Sequence, residues 1–297
     1  MSPDADMSTI RVGPAGWHYQ DWYGNVYPKN PSKDFGELEY IATFFNTAEI
    51  NSTFYRPTTS RIASNWVKKV KHNPQFMFTA KLWQQFTHTQ TDFNNRDIML
   101  VCAGMDVLKE AGLLGALLIQ FPWRFKCDDA SKRRLARLIK TFNMYSLVVE
   151  VRHNSWDQKP FYKYLADQNV GVAVIDQPVI GQSIEMKPLR TGPVGYVRLH
   201  GRNYDHWFSN NQNLAKKNPS TRYDYYYSQK EISEIADITK KVAQNATETY
   251  VIQNNHPNGQ AIANATQLLA ELEQKVPQLP NSLIQAFPDL KEFSMPF

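Results

Sequence analysis

Charged and polar side chains recur at a spacing of two residues near the ends of short apolar runs. Alternate residues of a β-strand point to the same face, so each such set shares one face of its strand. The sets are Glu49/Asn51, Glu150/Arg152 and Arg198/His200/Arg202, and single polar residues end other runs at Lys81, Gln120, Asp176 and Asn254. Charges on an inward face are costly unless they are paired or used. They predict either a salt-bridge network in which Arg152 and Arg198 neutralise Glu150 and Asp176, or a binding or catalytic site. Their presence on almost every run favours the site.

The residue types suggest acid/base chemistry. Paired carboxylates in different surroundings can divide the acid and base roles, so Glu150 is the first candidate for a general base and Glu49 the second. Lys81 could act as an acid, and His200 could carry protons near neutral pH. The alternatives are an ion pair between Glu49 and Lys81, and a purely structural, hydrogen-bonded His200. A glycosidase that uses Glu49 and Glu150 is a less favoured reading.

The candidate ligand-binding residues add aromatic and amide groups to these charges. They are Trp17, Asn51, Tyr55, Gln120, Arg152, Asp176, Arg198, Arg202 and Asn254. Four cations (Lys81 and the three arginines) face three carboxylates, which favours a small anionic or sugar-like ligand, since arginine matches phosphate and carboxylate geometry. A third reading is a metabolite-binding protein without turnover, in which Arg152, Arg198 and Asn254 hold the ligand.

Cofactor and metal chemistry is disfavoured. The sequence contains no H-E-x-x-H, G-x-x-x-x-G-K-[ST], G-x-S-x-G or G-x-G-x-x-G motif. Glu150, Asp176 and His200 could together bind a divalent metal. The neighbouring lysine and arginines would repel that ion, so we expect no cofactor.

Two long loops rich in aromatic residues suggest a rival function. The first spans residues 17–34 with Trp17, Tyr19, Trp22, Tyr23 and Tyr27; the second spans 204–227 with Tyr204, Trp207, Phe208, Tyr223, Tyr225, Tyr226 and Tyr227 beside Lys216, Lys217 and Arg222. These rings either pack the loops onto the protein or stack on bases, so single-stranded nucleic-acid binding or a nuclease-like activity is the alternative. A net charge of +5 decides neither way.

The order of the elements predicts a closed (β/α)8 barrel, an α/β TIM barrel of parallel strands in one domain. Apolar runs begin near Ile10, Thr47, Phe76, Leu114, Leu147, Gly171, Val194 and Thr249. Amphipathic helices are expected at 37–46, 61–72, 95–111, 131–143, 160–169, 229–245 and 261–274. The connection 179–193 contains two glycines and two prolines and is expected to lack a full helix. Residues at the carboxyl ends of the strands would then surround one pocket.

We expect residues 1–9 to be extended or disordered, 10–274 to form the barrel and 275–297 to pack on it as an extension. The start lacks a signal sequence, and no apolar run could span a bilayer. Cys102 and Cys127 have no metal-binding or redox spacing. A cytoplasmic protein without a membrane partner is therefore expected, while the oligomeric state stays open.

The chain resembles the YecE-like family, domain of unknown function 72. The resemblance rests on Val12-Gly-Pro-Ala-Gly-Trp17, Glu49-Ile-Asn-Ser-Thr-Phe-Tyr55, Phe78-Thr-Ala-Lys81, Gln120-Phe-Pro122, Glu150-Val-Arg-His-Asn-Ser-Trp156, Tyr196-Val-Arg-Leu-His-Gly-Arg202 and Gln253-Asn-Asn-His256. These motifs run from about residue 10 to residue 270. The resemblance implies a TIM barrel and leaves the activity open.

Overall fold

The computed structural model describes residues 8–89, 91–204 and 219–293, and eight parallel strands form a nearly closed barrel. They are β1 (Thr9–Pro14), β2 (Thr47–Ile50), β3 (Met77–Lys81), β4 (Leu114–Gln120), β5 (Leu147–Glu150), β6 (Gly171–Asp176), β7 (Val194–Leu199) and β8 (Glu248–Gln253). Every strand starts within one residue of its predicted position. The predicted (β/α)8 barrel is confirmed.

Helices surround the strands, and all seven predicted helices are present, with ends within three residues of those expected. The helices are α1 (Glu37–Phe44), α2 (Ser52–Tyr55), α3 (Ser60–Val70), α4 (Gln84–Thr87), α5 (Asn95–Glu110), α6 (Asp129–Phe142), α7 (Lys159–Asp167), α8 (Gln229–Ala243), α9 (Gln260–Glu271) and α10 (Asn281–Ala286). The prediction missed α2, α4 and α10, because four to six residues are too few to show a helical period. Residues 177–193, all of them described, contain no helix, as predicted.

Local signals fix several helix ends. Asn94 and Ser228 begin α5 and α8 with capping boxes, in which the cap side chain and the carboxylate three residues later bond each other's backbone amides. Asn169 and Asn245 follow α7 and α8 with φ angles of 55° and 58°. Asparagine tolerates this left-handed conformation, which ends a helix. These short ends return the chain to the next strand.

The barrel closes between β1 and β2. The sheet order runs from β1 through β8 and β7 back to β2, and a single parallel bridge between Ala15 and Glu49 joins its two edges. The Gly16 amide donates to the Glu49 carbonyl at 2.9 Å. A side chain at Gly13 would place its Cβ 2.0 Å from the Thr47 carbonyl oxygen, so glycine is what lets β1 approach β2 here.

Two clusters of buried apolar residues form the core. The cluster that packs β1, β7 and β8 against α8 and α9 is called the outer layer, and the end of the chain belongs to it. Leu279, Leu283 and Leu290 are buried in the cluster that also contains residues of α8 and α9, so residues 275–293 pack against the barrel; 294–297, like 1–7, lie outside the described residues. Cys102 and Cys127 are free thiols. Among the described helices, none has the length and apolar character that a membrane span requires.

Candidate active site

Alternation along β7 points Tyr196, Arg198 and His200 into the barrel. The Tyr196 hydroxyl lies 2.9 Å from Thr79 Oγ1 on β3 and donates to Glu49 Oε2 on β2 at 3.0 Å. Contacts this far around the ring are possible only across the interior. Residues at the same inner level of the other strands therefore meet Arg198.

Arg198 joins two carboxylates on opposite strands. Its Nη2 donates to Glu49 Oε1 at 2.7 Å, and its Nη1 donates to Glu150 Oε2 at 2.5 Å. All three side chains are fully buried. Arg152 donates to the other Glu150 oxygen through Nε at 2.9 Å and Nη2 at 2.7 Å. Two guanidinium groups thus balance two carboxylates, and we call Glu49, Glu150, Arg152 and Arg198 the charge network.

This network changes the role expected of Glu150. Burial alone would raise the pKa of its carboxyl group, but Arg198 and Arg152 outweigh burial and hold that pKa well below its usual value. Both Glu150 oxygens already accept hydrogen bonds from arginine. A carboxylate so strongly stabilised is a poor base, so the prediction of Glu150 as general base is not supported. Glu49 is equally occupied, by Arg198 and Tyr196.

Lys81 stands apart from the network. The predicted ion pair between Glu49 and Lys81 is not formed, because Arg198 and Tyr196 hold the Glu49 oxygens. Within the described part of the chain, Lys81 Nζ has no hydrogen bond or ion pair, and it lies 4.4 Å from the centroid of the Phe54 ring. Burial, followed by the charge of Arg198, lowers the pKa of Lys81 from 10.5 to about 7. Lys81 can therefore gain or lose a proton near neutral pH.

His200 is held neutral. Arg152 Nη2 and Arg198 Nη1 lie 3.2 and 3.4 Å from its Nε2, and burial together with these arginines lowers its pKa to about 3. The other ring nitrogen, Nδ1, lies 2.9 Å from Asn254 Nδ2. The predicted proton shuttle near neutral pH is not supported.

A pocket of about 470 Å³ opens above Lys81 at the carboxyl ends of the strands. Five of its side chains are tryptophan or tyrosine, and six others carry polar atoms. They are Trp17, Tyr19, Tyr55, Trp66 and Tyr223, with His18, Asn51, Ser52, Lys81, Asn254 and His256. The predicted residues Trp17, Asn51, Tyr55, Lys81 and Asn254 are therefore brought together. Gln120 lies on the inner side at the end of β4, where its Oε1 is 3.4 Å from Arg198 Nη1.

Two predicted ligand contacts lie elsewhere. Asp176 is level with Leu199 of β7, whose side chain belongs to the outer layer. Its Oδ1 accepts from Arg202 Nε at 3.0 Å and its Oδ2 from the Tyr227 hydroxyl at 2.6 Å, and Arg202 also reaches Glu231 of α8 at 3.0 Å. Asp176 and Arg202 therefore connect the strands to α8.

The same geometry corrects the predicted salt-bridge pairing. Arg198 and Arg152, rather than one arginine per carboxylate, both neutralise Glu150, while Arg202 neutralises Asp176. The metal-binding set of Glu150, Asp176 and His200 is not assembled, because Asp176 faces outward. Among the described residues, no group of three or more His, Cys, Asp or Glu side chains is placed to hold a metal ion.

Gln177 is a buried polar residue on the inner side of the barrel that the sequence did not single out. The His200 amide donates to the Asp176 carbonyl at 2.9 Å, so the next residue, Gln177, lies beside His200 on the inner side. Gln177 is 4% exposed, and neither amide atom has a hydrogen-bond partner among the described residues. Buried amides are normally bonded, which makes Gln177 a candidate ligand contact. Counting alternate residues from Ile175 would have selected it in place of Asp176.

The aromatic loops divide between packing and pocket. Trp22, Tyr27 and Tyr227 are fully buried, and the Tyr23 hydroxyl donates to Glu37 at 2.8 Å. Tyr19 stacks on His256 at 4.4 Å between ring centroids and lines the pocket. The predicted base-stacking residues Trp207, Phe208, Lys216 and Lys217 lie outside the described residues. Trp66 of α3, also in the pocket, gave no signal because it sits in an ordinary amphipathic helix.

Comparison with known proteins gives one consistent result. The family described as "Protein of unknown function DUF72" matches residues 11–288. The UPF0759 protein YunF of Bacillus subtilis is 26% identical over 275 residues, which are 89% of this chain and 95% of that protein. Crystal structures of DUF72 family proteins are also similar. The one from Thermotoga maritima is 30% identical with a TM-score of 0.79, covering 90% of this chain and all of that one. The one from Enterococcus faecalis is 26% identical with a TM-score of 0.77, covering 89% and 96%.

Proposed function

The chain belongs to the DUF72 family, and we propose that it is an enzyme that performs proton transfer on a small polar ligand in the Lys81 pocket. One observation carries the proposal. A lysine that forms no salt bridge with any described residue lines an aromatic pocket beside a charge network that is already neutral. A general acid or base works best when its pKa is near the working pH, and the pKa of Lys81 is about 7.

The charges favour a neutral or singly charged ligand. Arg198 has no free pair of N–H groups with which to bind a phosphate, because both of its Nη atoms are bonded to carboxylates. Arg152 is likewise bonded to Glu150 through Nε and Nη2. Of the groups at the pocket floor, Lys81 supplies the unbalanced positive charge, and only when it is protonated. A carbohydrate-like ligand fits this balance better than a phosphorylated one.

The side chains that line the pocket also favour a carbohydrate-like ligand. Trp17 and Trp66 contact each other edge to face, with 5.8 Å between their ring centroids. Aromatic rings of this kind can pack against the apolar face of a sugar, while the nearby amides can bond its hydroxyl groups. Asn51 and Asn254 supply amide groups at the pocket wall. A volume of about 470 Å³ lies within the range of small-molecule sites. The proposed role of Lys81 is to exchange a proton with a ligand held against these rings.

A thermal-shift screen tests the proposal with free sugars, sugar acids, sugar phosphates and short single-stranded oligonucleotides, each at low and high salt. A ligand at about 100 times its Kd stabilises the fold by about 2.7 kcal/mol. We expect a shift from a free sugar or sugar acid that persists at high salt. Tyr55→Ala, at a 69% exposed pocket residue, should reduce that shift, and Tyr204→Ala, at a 53% exposed residue that does not line the pocket, should not.

Other outcomes favour the other readings. A shift from oligonucleotides alone that disappears at high salt would move the function to nucleic-acid binding. A sugar that binds but is recovered unchanged, as followed by NMR in the presence of the protein and of Lys81→Met, would favour a metabolite-binding protein without turnover.

A further inference from the structure

The amino group of Lys81 has the surroundings of a nucleophile. Cationic lysines are usually held by a carboxylate, but Glu49 and Glu150, the two carboxylates whose charges act on Lys81, have their oxygens bonded to Arg198, Arg152 and Tyr196. Nζ lies over the face of Phe54, 4.4 Å from the ring centroid. Nothing in the described part of the chain therefore fixes Nζ as an ammonium donor, and its lone pair is free to face the pocket.

We propose that Lys81 Nζ forms an imine with the carbonyl carbon of a small aldehyde or ketone bound in the pocket. This inference rests on the proposed function and names the substrate class of the same site. Because the pocket also presents aromatic faces and the amides of Asn51 and Asn254, the expected substrate is a carbonyl compound that carries hydroxyl groups, such as an open-chain sugar.

The step balances without a further reactant. The neutral amine attacks the carbonyl carbon and a C–N bond forms, while one proton moves from nitrogen to the former carbonyl oxygen. The resulting carbinolamine then loses that oxygen as water and leaves a C=N bond to Lys81. No electrons are exchanged with a third partner. A pKa of about 7 means that about half of the amine is neutral at pH 7, as this reaction requires.

Burial and Arg198 favour the same step. Burial is the largest cause that lowers the pKa of Lys81, Arg198 is the next and Arg152 adds to it, whereas Glu49 and Glu150 act in the opposite direction. Both carboxylates are bonded to the arginines and do not pair with Lys81. A lysine beside other cations in a desolvated site is the arrangement that activates amine nucleophiles.

Reductive trapping tests the inference. The intact protein is mixed with glycolaldehyde and sodium cyanoborohydride, which reduces imines to stable amines, and each modified lysine is quantified by peptide mass spectrometry from pH 6 to 10. Lys163, a 76% exposed lysine paired with Asp167, is the internal standard. At pH 7 we expect Lys81 to be modified at least about tenfold faster, since an ordinary lysine with a pKa of about 10.4 is almost entirely protonated there. The rate at Lys81 should level off above pH 7, whereas the rate at Lys163 should keep rising.

Matched variants separate this inference from the proposed function. Lys81→Arg keeps a cation in place and should lose only the modification at position 81. If Lys81 is modified no faster than Lys163, the imine is overturned; if a sugar still binds in the thermal-shift screen, the acid/base proposal stands alone. If Lys81 is trapped rapidly but no pocket ligand is found, the nucleophile is upheld and the carbohydrate-like ligand is rejected.

Discussion

Replacing Lys81 with methionine should stabilise the protein at neutral pH and lose that advantage at alkaline pH. In the folded protein the pKa of Lys81 is about 7 instead of 10.5, so between these values the unfolded chain binds more protons than the folded one. The stability of the wild type therefore rises with pH across this window. Below pH 7 both states are protonated and the full penalty of burying the ammonium remains.

The size of the effect follows from the same pKa. A fall from 10.5 to about 7 corresponds to about 5 kcal/mol at 1.36 kcal/mol per pKa unit. Methionine has a similar length and carries no charge, so Lys81→Met should be more stable than the wild type by about 5 kcal/mol at pH 6, and the difference should shrink by about 2–3 kcal/mol on reaching pH 9.

Urea unfolding at pH 6, 7, 8 and 9, followed by tryptophan fluorescence, measures this difference. Lys163→Met is the matched control, because Lys163 is 76% exposed and its replacement should give a small difference with little dependence on pH. A stability difference for Lys81→Met that is equal at pH 6 and pH 9 would refute the reasoning, since it would mean that Lys81 titrates at the same pH in both states.

Three further predictions concern the surroundings of Lys81. Arg198→Met leaves two buried carboxylates without their shared partner and should cost about 3–5 kcal/mol in urea unfolding; a loss below about 1 kcal/mol would contradict the description of the charge network. Asp176→Asn should cost about 1–3 kcal/mol, because it weakens the charged hydrogen bonds to Arg202, yet leave the affinity for any pocket ligand unchanged; a loss of affinity by calorimetry would place Asp176 in the site after all. Gln177→Met should keep or raise the free energy of unfolding, since it removes two unpartnered buried atoms, and weaken ligand binding. Gln253→Met, which removes an equally unpartnered amide level with Leu199 of the outer layer, should leave binding intact.

The fold was predictable because its signals are local and repeated. Apolar runs that alternate with amphipathic segments located all eight strands and seven helices, and glycine with proline in 179–193 marked the one connection without a helix. The short helices α2, α4 and α10 were not predictable, since none is long enough to show a periodic pattern of its own.

The site was predictable as a set of residues but not as a set of partners. Spacing by two correctly brought Glu49, Glu150 and Arg198 to one place, yet it could not show that Arg198 would use both ends of its guanidinium on the two carboxylates. In that arrangement Glu49 and Glu150, the predicted bases, are counterions of arginine, and Lys81 is the group whose pKa lies near neutral pH. The carboxylate with which an arginine pairs depends on distances across the barrel. These distances cannot be derived from a local sequence pattern.

The closure of the barrel between β1 and β2 has a consequence for the order in which the protein folds. β1 pairs along its whole length with β8, which follows about 240 residues later in the chain. Glu49 lies at the parallel bridge to Ala15 that joins the two edges of the sheet. A contact so distant in sequence forms late and slowly. While the chain is still being synthesised, Glu49 and Arg198 lack the closed ring that sets them opposite each other. The pocket is therefore among the last features to appear as the protein folds, and a protein that can hold a ligand there has already completed its barrel.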